Sequence, residues 1–334
     1  MTMLRIGDLS QHLASLRHGT ALRRSLAQHT AELSTGRLSD LPRSLGAAQE
    51  RTASLSFRLG EISDFLLSAR SAARLSDGLQ RGLDRINGLR GTMAARLMDP
   101  MVSRSSEQVA SHSEAARAAF SDATAALNGS IGGRHIFAGT AQNNPPLMGA
   151  EAHLTAITAH VASLTDAAAV EAAVMAWFVE AGGGYETSAL QGNDQSIHLP
   201  LDHGTTIRLP PGAAHGVVRK VLGGLALAAL AGDMSLPLDD ATRQELLMRA
   251  GQRLHTDAAS ITALMSEIGT SQSRIEAMQD RLGAEQTELS IQYNDDTRID
   301  MEGTATRIQS LQVQLEAHYT LVSRLSRLSL AGLS

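Results

Sequence analysis

The chain has 334 residues and a net charge of −5; 43% of it is apolar, yet only 3% is aromatic and none is Cys. Without Cys there is no disulfide, thiolate nucleophile or thiolate metal site, and the acidic balance excludes general phosphate-backbone binding, so nucleic acid is not an expected partner. A core so poor in rings is built from Leu, Ala, Ile and Val, the palette of long helices packed side by side.

The first segment carries a stripe, Leu9, Leu13 and Leu16, then Leu22, Leu26 and Leu33. Arg5, Asp8 and Arg17 interrupt it, so it holds no continuous apolar h-region and no Sec-type signal peptide is expected. Further along, no apolar run approaches the ~20 residues that span a bilayer.

Proline divides the rest, because inside a helix it removes a hydrogen bond and clashes with the preceding turn. Pro42 and Pro100 bracket one segment, the remaining prolines fall between Pro145 and Pro237, and none follows. Helical ends around an irregular centre are expected. Between Pro42 and Pro100, Leu45, Thr52, Leu59, Leu66 and Ala73 recur every seven residues, interleaved with Ala48, Leu55, Ile62, Ala69, Ser76, Leu83 and Leu97. This is an a/d heptad seam and predicts a rod of roughly 80 Å that needs other helices alongside. After Pro100 the seam resumes with Val102, Val109, Ala116 and Ala123, beside Ser106, Ser113, Phe120 and Leu127, as a second helix folding back.

In the centre, the glycines of residues 128–140 break the helix, and Ile136 and Phe137 suggest a strand. Residues 166–180 read as a short apolar helix before a Gly182–Gly184 hinge. Ile197, Leu199 and Leu201 alternate, then Ile207 and Leu209, about Asp202, His203 and Gly204, which signals a hairpin. A helix over Val217–Ala231 closes this acidic, mixed α and β insert.

The C-terminal part starts at Asp239 and Asp240, with Thr242 and Glu245 at capping-box spacing. Leu254, Ile261, Ile268, Ile275, Leu282 and Leu289 then keep a strict seven-residue spacing. The register lapses from Tyr293 to Gly303 and returns in a new phase with Ile308, Leu311, Leu315, Val322 and Leu325, which marks a joint. Residues 1–137 carry 17 Arg against 12 acids, whereas residues 239–334 carry 9 basic residues against 14 acids, a split that favours pairing of the two ends.

The predicted fold class is therefore mainly α, with long antiparallel coiled-coil helices from the two ends and a small inserted α+β domain. The expected domains are 1–42 with 298–334 for polymerisation, 43–137 with 239–297 as a helical bundle, and 138–238 as a surface insert. Short amphipathic ends gain little burial in a monomer, so Leu9, Leu13, Leu16, Leu22, Leu26, Leu315, Val322, Leu325, Leu328 and Leu330 are the candidate subunit-interface residues.

Motifs for catalysis are missing: there is no nucleotide-binding loop, GxSxG elbow or HExxH helix. His198 and His203 on the hairpin want a third metal ligand, and a solvated hairpin is the expectation. Asp295 and Asp296 point different ways on a helix and read as a hydrated joint, and Trp177 with Phe178 as an anchor of the insert. No enzyme activity, cofactor or metal is expected.

Three segments carry a family resemblance. Glu32 to Leu38, ELSTGRL, resembles the "LSSG(K/R)" segment of the flagellin superfamily; Gly133 to Thr140, GRHIFAGT, is similar to the "GRYIFSGT" stretch of its hook–filament junction branch; Ser326 to Leu333 looks like the closing "SxLSLLDYL". The usual "DDP" after the glycine is reduced to Asp40-Leu41-Pro42. The resemblance implies export without a cleaved signal, a chaperone on the C-terminal helix, and an extracellular flagellar location. It also implies ring self-association between another hook-associated protein and flagellin subunits. Filament flagellin, a coiled-coil signalling protein and an enzymatic insert are the alternatives.

Overall fold

The computed structural model describes residues 3–40, 49–99 and 105–331, so Pro42, Leu45, Ala48, Pro100 and Val102 lie outside the described residues. Its helices are α1 (Met3–Thr35), α2 (Gln49–Met98), α3 (Ser106–Leu127), α4 (Ala150–Val161), α5 (Ala167–Val179), α6 (Gly216–Leu230), α7 (Asp240–Thr256), α8 (Ala258–Thr297) and α9 (Met301–Ala331). Two short hairpins pair β1 (Ser130–Ile131) with β2 (Arg134–His135) and β3 (Ile197–Asp202) with β4 (Thr205–Leu209). The chain is mainly helical with a small α+β portion. It forms two compact units, Met1–Ser63 with Gly283–Ser334, and Asp64–Leu282.

The second unit is organised around α6, whose sequence GVVRKVLGGLALAAL is apolar on nearly every side and is buried on nearly every side. It packs against α3, α5 and α7. The heptad seams are buried as well: Leu66, Ala69, Ser76, Leu83 and Leu97 of α2, Val109, Ala116, Phe120 and Ala123 of α3, and Leu254, Ile261, Ile268, Ile275 and Leu282 of α7 and α8. One seam thus runs through a helix break at Asp257, which the seven-residue spacing does not reveal. Ser106 lies exposed at the start of α3, outside its seam.

Ends of the helices follow local chemistry. Asp166 accepts the amide of Ala169 at 2.9 Å and Asp239 that of Thr242 at 2.8 Å, caps that stabilise by about 1 kcal/mol each. The Thr242 and Glu245 spacing does not form a box: Asp239 caps α7, and Glu245 pairs with Arg249 at 2.7 Å.

The expected strand at Ile136 and Phe137 is a correction: β2 ends at His135, and both side chains turn inward and are buried. The segment must bend there because Gly212, at φ +63°, lays its backbone against Phe137, leaving only 2.6 Å to Phe137 Cα for an added Cβ. The 197–209 hairpin pairs Ile197 with Leu209 and Leu199 with Ile207 in the alternating register read from the sequence. Phe178 is wholly buried, and Trp177 packs half-buried against the core, as an anchor would. His198 is exposed, His203 stacks edge-on against Phe65 at 5.2 Å, and no group of three metal-ligating side chains occurs among the described residues.

Several arginines of this unit hold buried or half-buried polar groups. Arg243 donates to the carbonyls of Leu238, Ala231, Asp233 and Leu236 at 2.8 to 3.2 Å, tying the loop after α6 to α7. Arg249 and Arg253 share Glu171 of α5; burial raises that carboxyl's pKa, but the two guanidinium hydrogen bonds outweigh it and hold the pKa below the usual range. No helix among the described residues is long and apolar enough to cross a membrane.

Candidate subunit interface

In the first unit α1 packs along α9, the pairing that the two needy stripes and the opposite charges of the ends called for. Gly19 permits a close approach: a Cβ there would sit 2.7 Å from Nε2 of His318. Around it, His18 meets His318 edge-on at 5.6 Å, and the Arg23 guanidinium lies 5.9 Å from the Tyr319 ring centroid.

The candidate interface residues divide over this pair. Leu22 is buried at 7% exposure, so it serves the monomer's own fold. Leu26, Leu315 and Val322 are half-buried. Leu13, Leu16 and Leu325 stand 46%, 50% and 53% exposed. The side chains of Leu9, Leu328 and Leu330 lie outside the described residues. Val313, Tyr319 and Leu321 of α9 are also exposed, and the heptad reading passed over them because they fall off the a/d register that it followed. Amphipathic spacing counted face by face would have found them.

At one end of the pair the chain turns at the ELSTGRL segment. Gly36 ends α1 in the left-handed region at φ +70°, where a side chain would be strained, and its amide bonds the carbonyl of Glu32 at 2.8 Å. The next residues knit to the opposite end of the chain: Leu38 N donates to Thr297 O at 2.9 Å, Ile299 N to Gly36 O at 3.2 Å, and Arg37 to the Asn294 side chain at 2.7 Å. The lapse in the heptad is thus a backbone-bonded joint. Asp296 pairs with Arg51 at 3.2 Å and Asp295 is exposed, so the two point apart as expected.

Glu32 is the buried charge of this joint, and its carboxylate is fully engaged. It accepts from Gln28 at 3.0 Å, from the Ser39 hydroxyl at 2.8 Å and amide at 3.2 Å, and lies 2.8 Å from His29 Nδ1. Burial pushes the carboxyl upward, but these contacts outweigh it and hold it at about 2. Beside it opens a cleft of 390 Å³, lined by His29, Leu38, Arg298, Asp300 and Arg307 among others. Nothing here sets up a nucleophile, base and oxyanion donor together; what the arrangement can do is hold two helix ends in one fixed geometry and present their outer faces.

The fold and these paired ends define a helical chain closed by its own two termini. Residues 252–333 match the family model of the bacterial flagellin C-terminal helical region. A structure described as a flagellar hook-associated protein of Vibrio parahaemolyticus shares the fold, at 11% identity over 76% of this chain and 99% of that chain, with a TM-score of 0.51. FlgL of Bacillus cereus aligns over 74% of this chain and 96% of that chain at 13% identity, with a TM-score of 0.39. No curated protein sequence matches the chain. Sequence similarity to flagellin thus lies in the C-terminal region, and the fold shared with the Vibrio parahaemolyticus structure extends over 76% of the chain.

Proposed function

We propose that this chain is a structural subunit of the bacterial flagellum that joins hook to filament and assembles through α1 and α9. The observation that carries it is the exposure of Leu13, Leu16, Leu321 and Leu325 on two helices that are already paired, the second of which, α9, lies within the segment matching the flagellin C-terminal region. Apolar residues on helices that are already paired need no further backbone ordering when a neighbour covers them, which favours association. In this reading residues 1–42 with 298–334 polymerise, 43–137 with 239–297 stiffen the subunit, and 138–238 face outward. Leu9, Leu13, Leu16, Leu26, Leu315, Val322, Leu325, Leu328 and Leu330 make the contacts between subunits, with Leu22 beneath them.

Its partners are copies of itself in a ring, another hook-associated protein on one side and flagellin on the other. Export proceeds without a cleaved signal, a chaperone covers α9 beforehand, and the role is not catalytic. Deleting the gene tests this: intact hooks with flagellin shed into the medium support it, and hooks that still carry filaments overturn it. Because the matching family model is that of flagellin itself, the filament subunit is the second reading. Long filaments formed by the purified chain alone would select it.

A further inference from the structure

His153 of α4 is wholly buried, and neither of its ring nitrogens has a hydrogen-bond partner. It stands in an aromatic cage. Phe120 of α3 meets it edge-on at 5.4 Å, Phe178 of α5 lies at 5.2 Å, and Tyr185, just after α5, at 5.7 Å. Tyr185 cannot serve as its donor in this arrangement, since the phenol hydrogen already goes to the Ala213 carbonyl at 2.7 Å. An unsatisfied imidazole among rings is costly when neutral and far costlier when charged.

The charged groups on the surrounding elements offer a proton on His153 no compensation. On α3, Arg117 is engaged with Glu151 of α4, and burial and the nearby Arg96 lower the pKa of His112. Glu171 of α5 is held by Arg249 and Arg253. Asp233, in the loop after α6, accepts from Ser235 and from Thr158 of α4. Glu186 is paired with Arg219 of α6 at 2.7 Å. Arg219 lies 5.2 Å from the Tyr185 ring centroid and has the same sign as an imidazolium.

We infer that His153 is a proton-sensitive catch of the second unit: in mild acid the imidazole leaves its cage to take up a proton, and α4 is released from the core around α6. This inference stands apart from the flagellar reading, since it rests only on the interior of the unit. The direction follows from linkage. Burial lowers the imidazole to about 4 in the fold, against 6.5 when free, so the full stability is present above 6.5 and is lost as pH falls from 6.5 towards 4. At pH 5 those two values correspond to about a thirtyfold rise in the opening equilibrium.

The test is amide exchange of residues 150–161 in the full chain at pH 7.5 and 5.0, corrected for the intrinsic pH dependence, for the parent and for His153→Phe and His153→Leu. Local opening of α4 that rises about thirtyfold in acid in the parent, and less than about threefold in whichever variant folds, supports the catch. An equal rise in a variant assigns the sensitivity to another group, such as His112 or His215, and overturns it. So does a parent whose α4 protection is unchanged at pH 5.0, or whose His153 ring signal titrates near 6.5 while α4 stays closed.

Discussion

The carboxylate of Glu32 holds Ser39, seven residues on, by both its hydroxyl at 2.8 Å and its amide at 3.2 Å, and so fixes the direction in which the chain leaves α1. Glu32→Ala strands those donors next to a buried surface and is expected to cost about 1–3 kcal/mol of the first unit's stability. Acid acts in the same place. Because the folded carboxyl is held at about 2 and the free one at 4.5, its contribution is complete above 4.5 and disappears as pH falls towards 2. Exchange protection of residues 26–40 followed from pH 6 to 2 should decline across that window in the parent and begin lower, with a flatter profile, in Glu32→Ala.

Gly36 tests the turn itself. A Cβ there would meet only the Met301 methyl at 3.7 Å, an ordinary contact, so the cost of Gly36→Ala is that of the left-handed backbone, about 1 kcal/mol. Chemical denaturation followed by circular dichroism should place Gly36→Asn between parent and Ala, because Asn tolerates that conformation.

For Arg243 the expectation is larger. Arg243→Leu removes the guanidinium from four loop carbonyls, of which Asp233 and Leu236 keep a backbone amide donor, and should destabilise the second unit by about 2–4 kcal/mol. Arg243→Lys should recover less than half, since one ammonium cannot reproduce the planar fork. The sole tryptophan, Trp177, reports on this unit, so its fluorescence in a denaturant series measures both variants.

Leucines of α1 should separate folding from assembly. Leu22→Ala removes buried volume and should cost about 2–4 kcal/mol in the isolated protein. Leu13→Ser with Leu16→Ser should change stability by no more than about 0.5 kcal/mol. The double variant is nonetheless expected to fail in restoring filaments to a deletion strain, and swimming on soft agar scores it.

Much of the helical architecture was legible because burial is periodic and proline is punctual. Ile261, Ile268 and Ile275 keep step and all reach the core, and the alternation from Ile197 to Leu209 became the hairpin it predicted. Ile136 and Phe137 misled because an inward-turning corner and a strand use the same residues; what decides between them is Gly212, some seventy-five positions away, whose bare backbone receives Phe137. α4 went unread altogether. Its apolar spacing is short, and a polar residue of its first turn, His153, lies inside the core with no partner, which no pattern of sequence announces. At the candidate interface the stripes located the right helices, but a stripe cannot say which leucine its own partner helix will cover, and Leu22 differs from Leu16 only through the three-dimensional pairing with α9.

That pairing also sets an order of events. Arg37 and Asn294 are 257 positions apart in the chain, and the joint they close needs both strands of backbone at once. Closing so long a loop costs little more than closing one half its length, because the entropy grows only with the logarithm. Its consequence is kinetic: α1 emerges first yet waits for α9, so the surface proposed to recognise a neighbour does not exist in any partial chain. In the proposed function, a growing or incompletely delivered subunit is thereby silent, and only a finished one can be added.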